Sequence, residues 1–335
     1  MEESLKILVV RFSSIGDIVL TTPVVRMLKT QLNTEVHFLT KAPFVSLFKN
    51  NPYVDSVFQI DKSINEVISD LKKENYDYVI DLHNNLRTQI LKITLGVAAK
   101  SFNKLNWEKF LLTNFKTNIL PDVHIVDRYL DTVKFLGITN DNKGLDFFLS
   151  DADKVDLAES PKDYIAFVIG GEHATKMLPT EKIISIINKL NESVVLIGGL
   201  EDFERGKEII AATENTFNSC GKYNINQSAY LVKNAKHVIT HDTGMMHIAA
   251  AFKKKIYSVW GNTIPQFGMY PYMAASDSKI IEVKDDLIED VVDNLSDKEN
   301  TFITSSAAEE VVAIKEKIFE TNTSYVEVNR RQNKQ

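Results

Sequence analysis

Two short apolar runs far apart in the chain end in the same way. Residues 6–12 (KILVVRF) lead into Ser13-Ser14-Ile15-Gly16-Asp17, and residues 235–240 (AKHVIT) lead into His241-Asp242-Thr243-Gly244. Apolar residues then recur at helical spacing over 18–28, and a small-residue segment follows at 245–251. Each reads as a buried strand passing through a tight turn into a helix, and where such units alternate along a chain a mainly parallel sheet covered on both faces by helices is expected. The turns also suit chemistry. Helix starts leave backbone N–H groups free and carry the positive end of the dipole, so an anion is favoured there. Ser and Gly let the backbone approach whatever binds.

The alternation predicts strands at 6–12, 35–40, 57–60 and 77–82, with helices near 17–31, 43–50, 63–74 and 86–95. A longer helix is expected over 123–136, ending at Gly137. Residues 139–162 are rich in Asp, Asn and Lys, with one possible strand at 145–149, and read as a linker. The alternation restarts with strands at 164–169, 193–197, 236–240 and 255–260. The pattern therefore predicts an α/β chain of two doubly wound parallel-sheet domains, 1–155 and 156–305, facing a cleft. Ligands of such sheets bind beyond the carboxyl ends of the strands. An amphipathic helix at 306–323 is expected to pack back on the first domain, and the polar tail 324–335 to be disordered.

The net charge of −6 argues against a general nucleic-acid binder. No apolar run is long enough to span a bilayer, and the amino terminus lacks the features of a signal peptide. The one cysteine, Cys220, excludes an internal disulfide and a multi-cysteine metal site, and reads as a small core or turn residue. A cytoplasmic setting follows. Charge is unevenly placed, however. Between 82 and 121 Glu108 is the one acid, against Arg87, Lys92, Lys100, Lys104, Lys109 and Lys116, with Phe102, Trp107, Phe110 and Phe115 among them. That stretch is either a solvated helix face or a surface for a phosphorylated or membrane-associated acceptor.

Asp17 is either a helix-start acid complementing the dipole or a general base at a cleft mouth. Lys176 precedes a helix start marked by Pro179 and Glu181, where a cation has little local reason to be. It reads as a solvated lysine or a ligand for a diphosphate. Glu201 and Asp202 follow the strand at 193–197 and could meet ribose hydroxyls or open a helix. The chain has no G-x-G-x-x-G after its first strand, no phosphate-loop motif and no H-E-x-x-H. These absences disfavour a nicotinamide-dependent dehydrogenase and a P-loop NTPase, and no cofactor or metal is expected.

Taken in order, RFSSIGDIVLTTP (11–23), DLHNNLRT (81–88), ATKMLP (174–179), GGLEDFERG (198–206), GKYNINQSAYLVKNAKHVITHDTGMMHIAAAF (221–252) and GNTIP (261–265) resemble glycosyltransferase family 9, the ADP-heptose:lipopolysaccharide heptosyltransferases. The resemblance implies a GT-B architecture of two Rossmann-like domains. It also implies inverting, metal-independent transfer of a sugar from a nucleotide diphosphate to an acceptor hydroxyl. It would make Asp17 the base and Lys176 the cation that neutralises the leaving diphosphate. Thr175, Asp242, Thr243, Gly244 and His247 would hold the donor, and Glu201 or Asp202 its ribose. Ser14, Gly16, Arg87 and Lys104 would meet the acceptor. The expected partners are ADP-heptose and a phosphorylated, lipid-linked acceptor such as Kdo-lipid A or a heptosylated inner core, with peripheral contact at the inner membrane. A transferase using another nucleotide sugar, or a noncatalytic nucleotide-sugar binder, are the alternatives.

Overall fold

A computed structural model describes residues 4–282 apart from 116, 157–160, 162, 172–176 and 261–264. Both sheets belong to one compact unit. The helix and tail expected at 306–335 lie outside the described residues.

The first sheet contains β1 (Leu5–Val10), β2 (Thr34–Lys41), β3 (Ser56–Ile60), β4 (Tyr78–Asp81) and β5 (Ala98–Ser101), in the spatial order β3-β2-β1-β4-β5. All its pairings are parallel. The reason is visible in β1. Ile7 and Val9 enter one core and Leu8 and Val10 another, so both faces of the central strand are buried, as the period of two requires. The second sheet contains β6 (Ile165–Val168), β7 (Val194–Ile197), β8 (Thr216–Asn218), β9 (His237–His241), β10 (Ile256–Trp260) and β11 (Lys279–Glu282). Its order is β11-β10-β9-β6-β7-β8, again wholly parallel. The strand order reverses between β1 and β4 in one sheet and between β6 and β9 in the other. Ligands gather at such switch points.

The helices of the first half are α1 (Ile15–Val19), α2 (Thr22–Gln31), α3 (Ile68–Lys73), α4 (Leu86–Leu95), α5 (Asn106–Phe115) and α6 (Ile125–Leu130). Those of the second are α7 (Thr180–Lys189), α8 (Phe203–Ala211), α9 (Ile225–Asn234) and α10 (Gly244–Ala251). The single helix expected over 17–31 is two. The Thr21 and Thr22 hydroxyls donate to the carbonyls of Ile18 and Val19 at 2.7 Å, and Pro23 has no N–H to continue the ladder. The helix expected over 123–136 shortens to α6 and a 3₁₀ turn at Lys134–Leu136 before Gly137. Residues 145–149 form no strand. Phe147 and Leu149 pack on the core from irregular chain instead.

That polar stretch is fastened to the first half by Arg26 of α2. Its buried guanidinium meets Asp141 through Nε at 2.8 Å and Nη2 at 2.9 Å, donates to the Gly144 carbonyl at 2.8 Å, and pairs with Asp146 through Nη1. Asp146 in turn accepts nothing from Thr22. Its own N–H donates to the Thr22 hydroxyl at 2.9 Å.

Candidate active site

The two singled-out turns meet. Gly16, in α1 after β1, and Gly244, opening α10 after β9, approach so closely that neither has room for a side chain. A Cβ on Gly244 would lie 2.7 Å from Ile15 Cγ2 and 3.0 Å from the Gly16 nitrogen. A Cβ on Gly16 would lie 2.7 Å from His247 Cδ2. Gly16 and Gly244 thus act first as the contact that sets the distance between the two helix starts. Gly244→Ala is expected to destabilise the fold by about 1–3 kcal/mol, the usual cost of overpacking. Urea denaturation checks this. An unchanged midpoint would mean the helix starts separate freely.

Asp17 lies one residue beyond Gly16. Its Oδ1 pairs with Arg11 Nη2 at 2.7 Å, and its Oδ2 accepts from the Ser14 N–H at 3.2 Å and the Ser14 hydroxyl at 3.1 Å. Burial pushes its carboxyl up, but Arg11 and the Ser14 donors outweigh that and hold it below the usual carboxylate range. The group is ionised at neutral pH and fixed in orientation. Ser14, expected at the acceptor, is thereby engaged in holding Asp17. Arg11 is itself tied down, donating to Ser13 O at 2.7 Å, Leu82 O at 2.6 Å and the Tyr129 hydroxyl at 3.0 Å.

Around this carboxylate the field is positive. His83, after β4, stacks at a tilt on Phe12 with centroids 5.0 Å apart. Burial, with Arg11 and Lys104 adding, pushes its imidazole down to about 4, so it is neutral at pH 7. Lys104 and Lys109 are pushed down first by burial and then by neighbouring cations, while Asp17 pulls both the other way. Arg87 sits with its guanidinium 5.6 Å from the Phe12 ring centre. It also lines an open cavity of about 530 Å³ with Lys62, Ser63, Ile64, Asn65, Asn85, Leu86 and Ile90.

On the second sheet Thr243 caps α10, its hydroxyl 3.4 Å from the Met246 N–H. Asp242 and Thr243 are part-exposed and His247 is buried against Gly16. Thr175 and Lys176 lie outside the described residues, but the chain that follows them is anchored. Leu178 N–H donates to His241 Nε2 at 2.9 Å, and burial, with Arg205 adding, lowers that imidazole to about 4. Arg205 of α8 donates to Ile169 O and Thr180 Oγ1, each at 3.1 Å, and to Leu178 O. Glu201 and Asp202 part company here. Asp202 is buried, accepts from Gly199 N–H at 2.9 Å and fills the gap beside Gly170. Burial raises its carboxyl. Glu201 is exposed, its carboxylate lying over Gly199. Cys220 is buried and its thiol is pushed up to about 12, chiefly by that burial. It is a core residue, as expected.

Sequence reasoning missed Arg11, His83 and Arg205. For Arg11 a signal existed, since a cation interrupts an otherwise apolar strand run at its carboxyl end. Among the described residues Glu35, His37 and Glu74 form a cluster with metal-ligand atoms. Lys6 Nζ already stands in it, 2.8 Å from Glu74 and 3.3 Å from Glu35.

Comparison with known proteins gives the family and the fold. The model of glycosyltransferase family 9 (heptosyltransferase) matches residues 64–283. Lipopolysaccharide heptosyltransferase 1 of Campylobacter coli is 25% identical over 290 residues, covering 77% of this chain and 84% of the relative. The structure of Escherichia coli ADP-heptose lipopolysaccharide heptosyltransferase II superposes with a TM-score of 0.71 at 20% identity, covering 87% of this chain and 97% of that one. An Escherichia coli heptosyltransferase solved with ADP gives 0.66 at 19% identity, with 92% and 99% covered.

Proposed function

This chain belongs to glycosyltransferase family 9, and from that premise we propose that it moves heptose from ADP-heptose to a lipopolysaccharide inner-core acceptor, Kdo-lipid A or its heptosylated form. The observation that carries the reading is the ionised carboxylate of Asp17, held by Arg11 and Ser14 at the start of α1, where Ile15 and Gly16 touch the start of α10. Asp17 takes the proton of the acceptor hydroxyl. The oxygen so formed bonds to the anomeric carbon as the bond from that carbon to the diphosphate breaks, and ADP leaves. One displacement inverts the anomeric centre. Lys176 and the backbone N–H groups at Thr243 and Gly244 offset the charge that grows on the diphosphate. Thr175, Asp242 and His247 complete the donor site. Of the two acids offered for ribose, the exposed Glu201 is the one in a position to bind it, because Asp202 is committed to Gly199.

The acceptor belongs to the first half, 1–155, and the donor to the second, 156–305. Arg87 and Lys104 meet acceptor phosphates. Support for a lipid-linked acceptor comes from the outer faces of α4 and α5. Leu86, Ile90 and Ile93 recur at i, i+4 and i+7 on α4 and stand exposed, Ile93 by 81%, and Trp107, Phe110 and Phe115 are exposed on α5. Apolar residues rimmed by cations suit a peripheral contact with an anionic membrane. No helix among the described residues is long and apolar enough to cross one.

The test is transfer to a Kdo-lipid A acceptor from ADP-heptose beside UDP- and GDP-sugars, with excess EDTA in parallel. Transfer from ADP-heptose, undiminished by the chelator, is expected. Preference for another nucleotide would move the substrate to a different glycan. Loss in EDTA restored by a divalent ion would overturn the metal-independent reading. Donor binding without turnover would indicate a noncatalytic binder.

A further inference from the structure

One guanidinium holds both ends of the stretch 170–177. Arg205 of α8 donates through Nη1 to the Ile169 carbonyl at 3.1 Å, where β6 gives way to that stretch, and through Nη2 to the Leu178 carbonyl, where it ends. Its Nε donates to the Thr180 hydroxyl at 3.1 Å, at the start of α7, and its Nη1 lies 3.6 Å from Met177 Sδ. Asp202, Glu208 and Glu181 act on it through space, so its donors are spent on this one stretch and the helix start that follows. A planar fork with donors in fixed directions suits acceptors on two separate chain segments. An ammonium would be a point charge free to choose one of them.

The ends so held meet beside the turn that opens α10. A Cβ on Gly171 would lie 3.3 Å from Met177 Cγ and 3.7 Å from Thr243 Cγ2, so the two ends and the residue that caps α10 stand side by side. His241, two residues before Thr243, adds a second tie by accepting from the Leu178 N–H at 2.9 Å. At the other end Asp202 fills the space beside Gly170 and Gly198. Lys176 is bonded directly to Met177, and consecutive Cα atoms are about 3.8 Å apart. Whatever fixes Met177 and Leu178 therefore limits where the Lys176 ammonium can reach. Resting on the function proposed above, we infer that Arg205 is a positioning residue for the donor: by holding Ile169 and Leu178 on one guanidinium it sets Lys176 against the diphosphate that leaves. Arg205 acts through Lys176 and not on the substrate. The neighbouring Thr243 keeps that charge in register with the N–H groups at the start of α10, so that both sources of stabilisation meet the same developing charge.

The experiment uses the full chain with Arg205→Gln, Arg205→Lys, Lys176→Ala and the double variant Arg205→Gln/Lys176→Ala. Transfer kinetics from ADP-heptose and calorimetric ADP affinity are measured well below every variant's melting temperature. For Arg205→Gln, kcat is expected to fall about 10- to 100-fold, the cost of misplacing a reacting group by about 1 Å, while the acceptor KM holds. Arg205→Lys recovers little, because an ammonium cannot bond both ends at once, and it carries the same comparison if Arg205→Gln does not fold. In the double variant the loss stays within about twofold of that in Lys176→Ala alone, since a group acting through Lys176 has nothing left to act on. Losses that multiply would overturn the inference. So would a lower melting temperature with kcat and ADP affinity unchanged, the mark of a purely structural arginine. A further arm needs no donor. On chain labelled at leucine, exchange of the Leu178 amide is followed by NMR without ligand, and Arg205→Gln should speed it about tenfold or more through local opening. An unchanged Leu178 rate rejects the tie. If Leu178 responds as expected but the unaltered chain binds UDP or GDP in preference to ADP, the kinetics are repeated with that nucleotide's sugar. The donor assignment then falls, and the double variant still decides the role of Arg205.

Discussion

Asp17→Asn should lower kcat by about a thousandfold, within the range that a positioned general base contributes, while ADP affinity stays within a few-fold. The amide keeps the shape of the carboxylate and can still accept from Ser14, so the loss reports the proton transfer and not the fold of the turn. The pH profile carries a second signature. Arg11 and Ser14 hold the Asp17 carboxyl below the usual carboxylate range, so the base stays ionised as pH falls from 7 to about 5 and activity should not decline there on its account. The same depression contributes stability that is present above the unfolded pKa and is lost as pH falls through the folded one. A rate near that of the unaltered chain, or a large loss of ADP binding, would remove Asp17 from the role of base. Kinetics and calorimetry on the same preparation decide it.

Arg26→Ala is expected to cost about 3–5 kcal/mol of unfolding free energy, the range for removing one member of a buried ionic cluster. Asp141 and Asp146 would be left facing each other and the Gly144 carbonyl would lose its donor. Arg26 holds the Asp141 carboxyl low, whereas burial pushes that of Asp146 up. The Asp141 contribution is present above its unfolded pKa and fades as pH falls through the folded value. The difference between variant and parent should therefore shrink on acidification. Urea titrations at pH 7 and pH 4 measure it. A difference below about 1 kcal/mol at pH 7, the level of an exposed ion pair, would show that this stretch is not fastened through Arg26.

Much of the fold was legible because β1, β6, β7 and β10 are short, mostly apolar runs and β2, β4 and β9 each carry an apolar centre, as parallel strands buried on both faces tend to do. The three strands that escaped, β5, β8 and β11, are edges of their sheets. β5 reads Ala-Ala-Lys-Ser and is exposed throughout. Nothing in its sequence reports a pairing supplied chiefly by backbone, with the Ser101 hydroxyl donating to Asp81 at 3.3 Å. The broken helix at 15–31 was misread because the apolar spacing runs unbroken across Thr21-Thr22-Pro23, and hydroxyl competition for a carbonyl leaves no periodic trace. In the site, Asp17 and the Thr243-Gly244 turn were visible from their place after strands. Their mutual contact was not, since no local pattern tells which glycine will face which helix. The partners of Arg11 were not legible for a related reason, although the cation itself stood out at the end of an apolar run. Whether a cation is paired, and with what, depends on residues distant in sequence.

The Arg26 fastening bears on how the two halves could be exchanged between relatives. A chimera joined at the start of the polar stretch would inherit Arg26 from one parent and Asp141 and Asp146 from the other, and the splice would cut through a buried ionic knot. Moving the junction beyond Leu149 keeps that knot within one parent. Among the contacts that still cross the seam, such as Tyr272 with Asp127 and His124 with the Tyr270 carbonyl, one allows no substitution. The parent that brings α1 and the parent that brings α10 must both have glycine where Gly16 and Gly244 touch. A recombination library should be cut there, and sorted first on that pair.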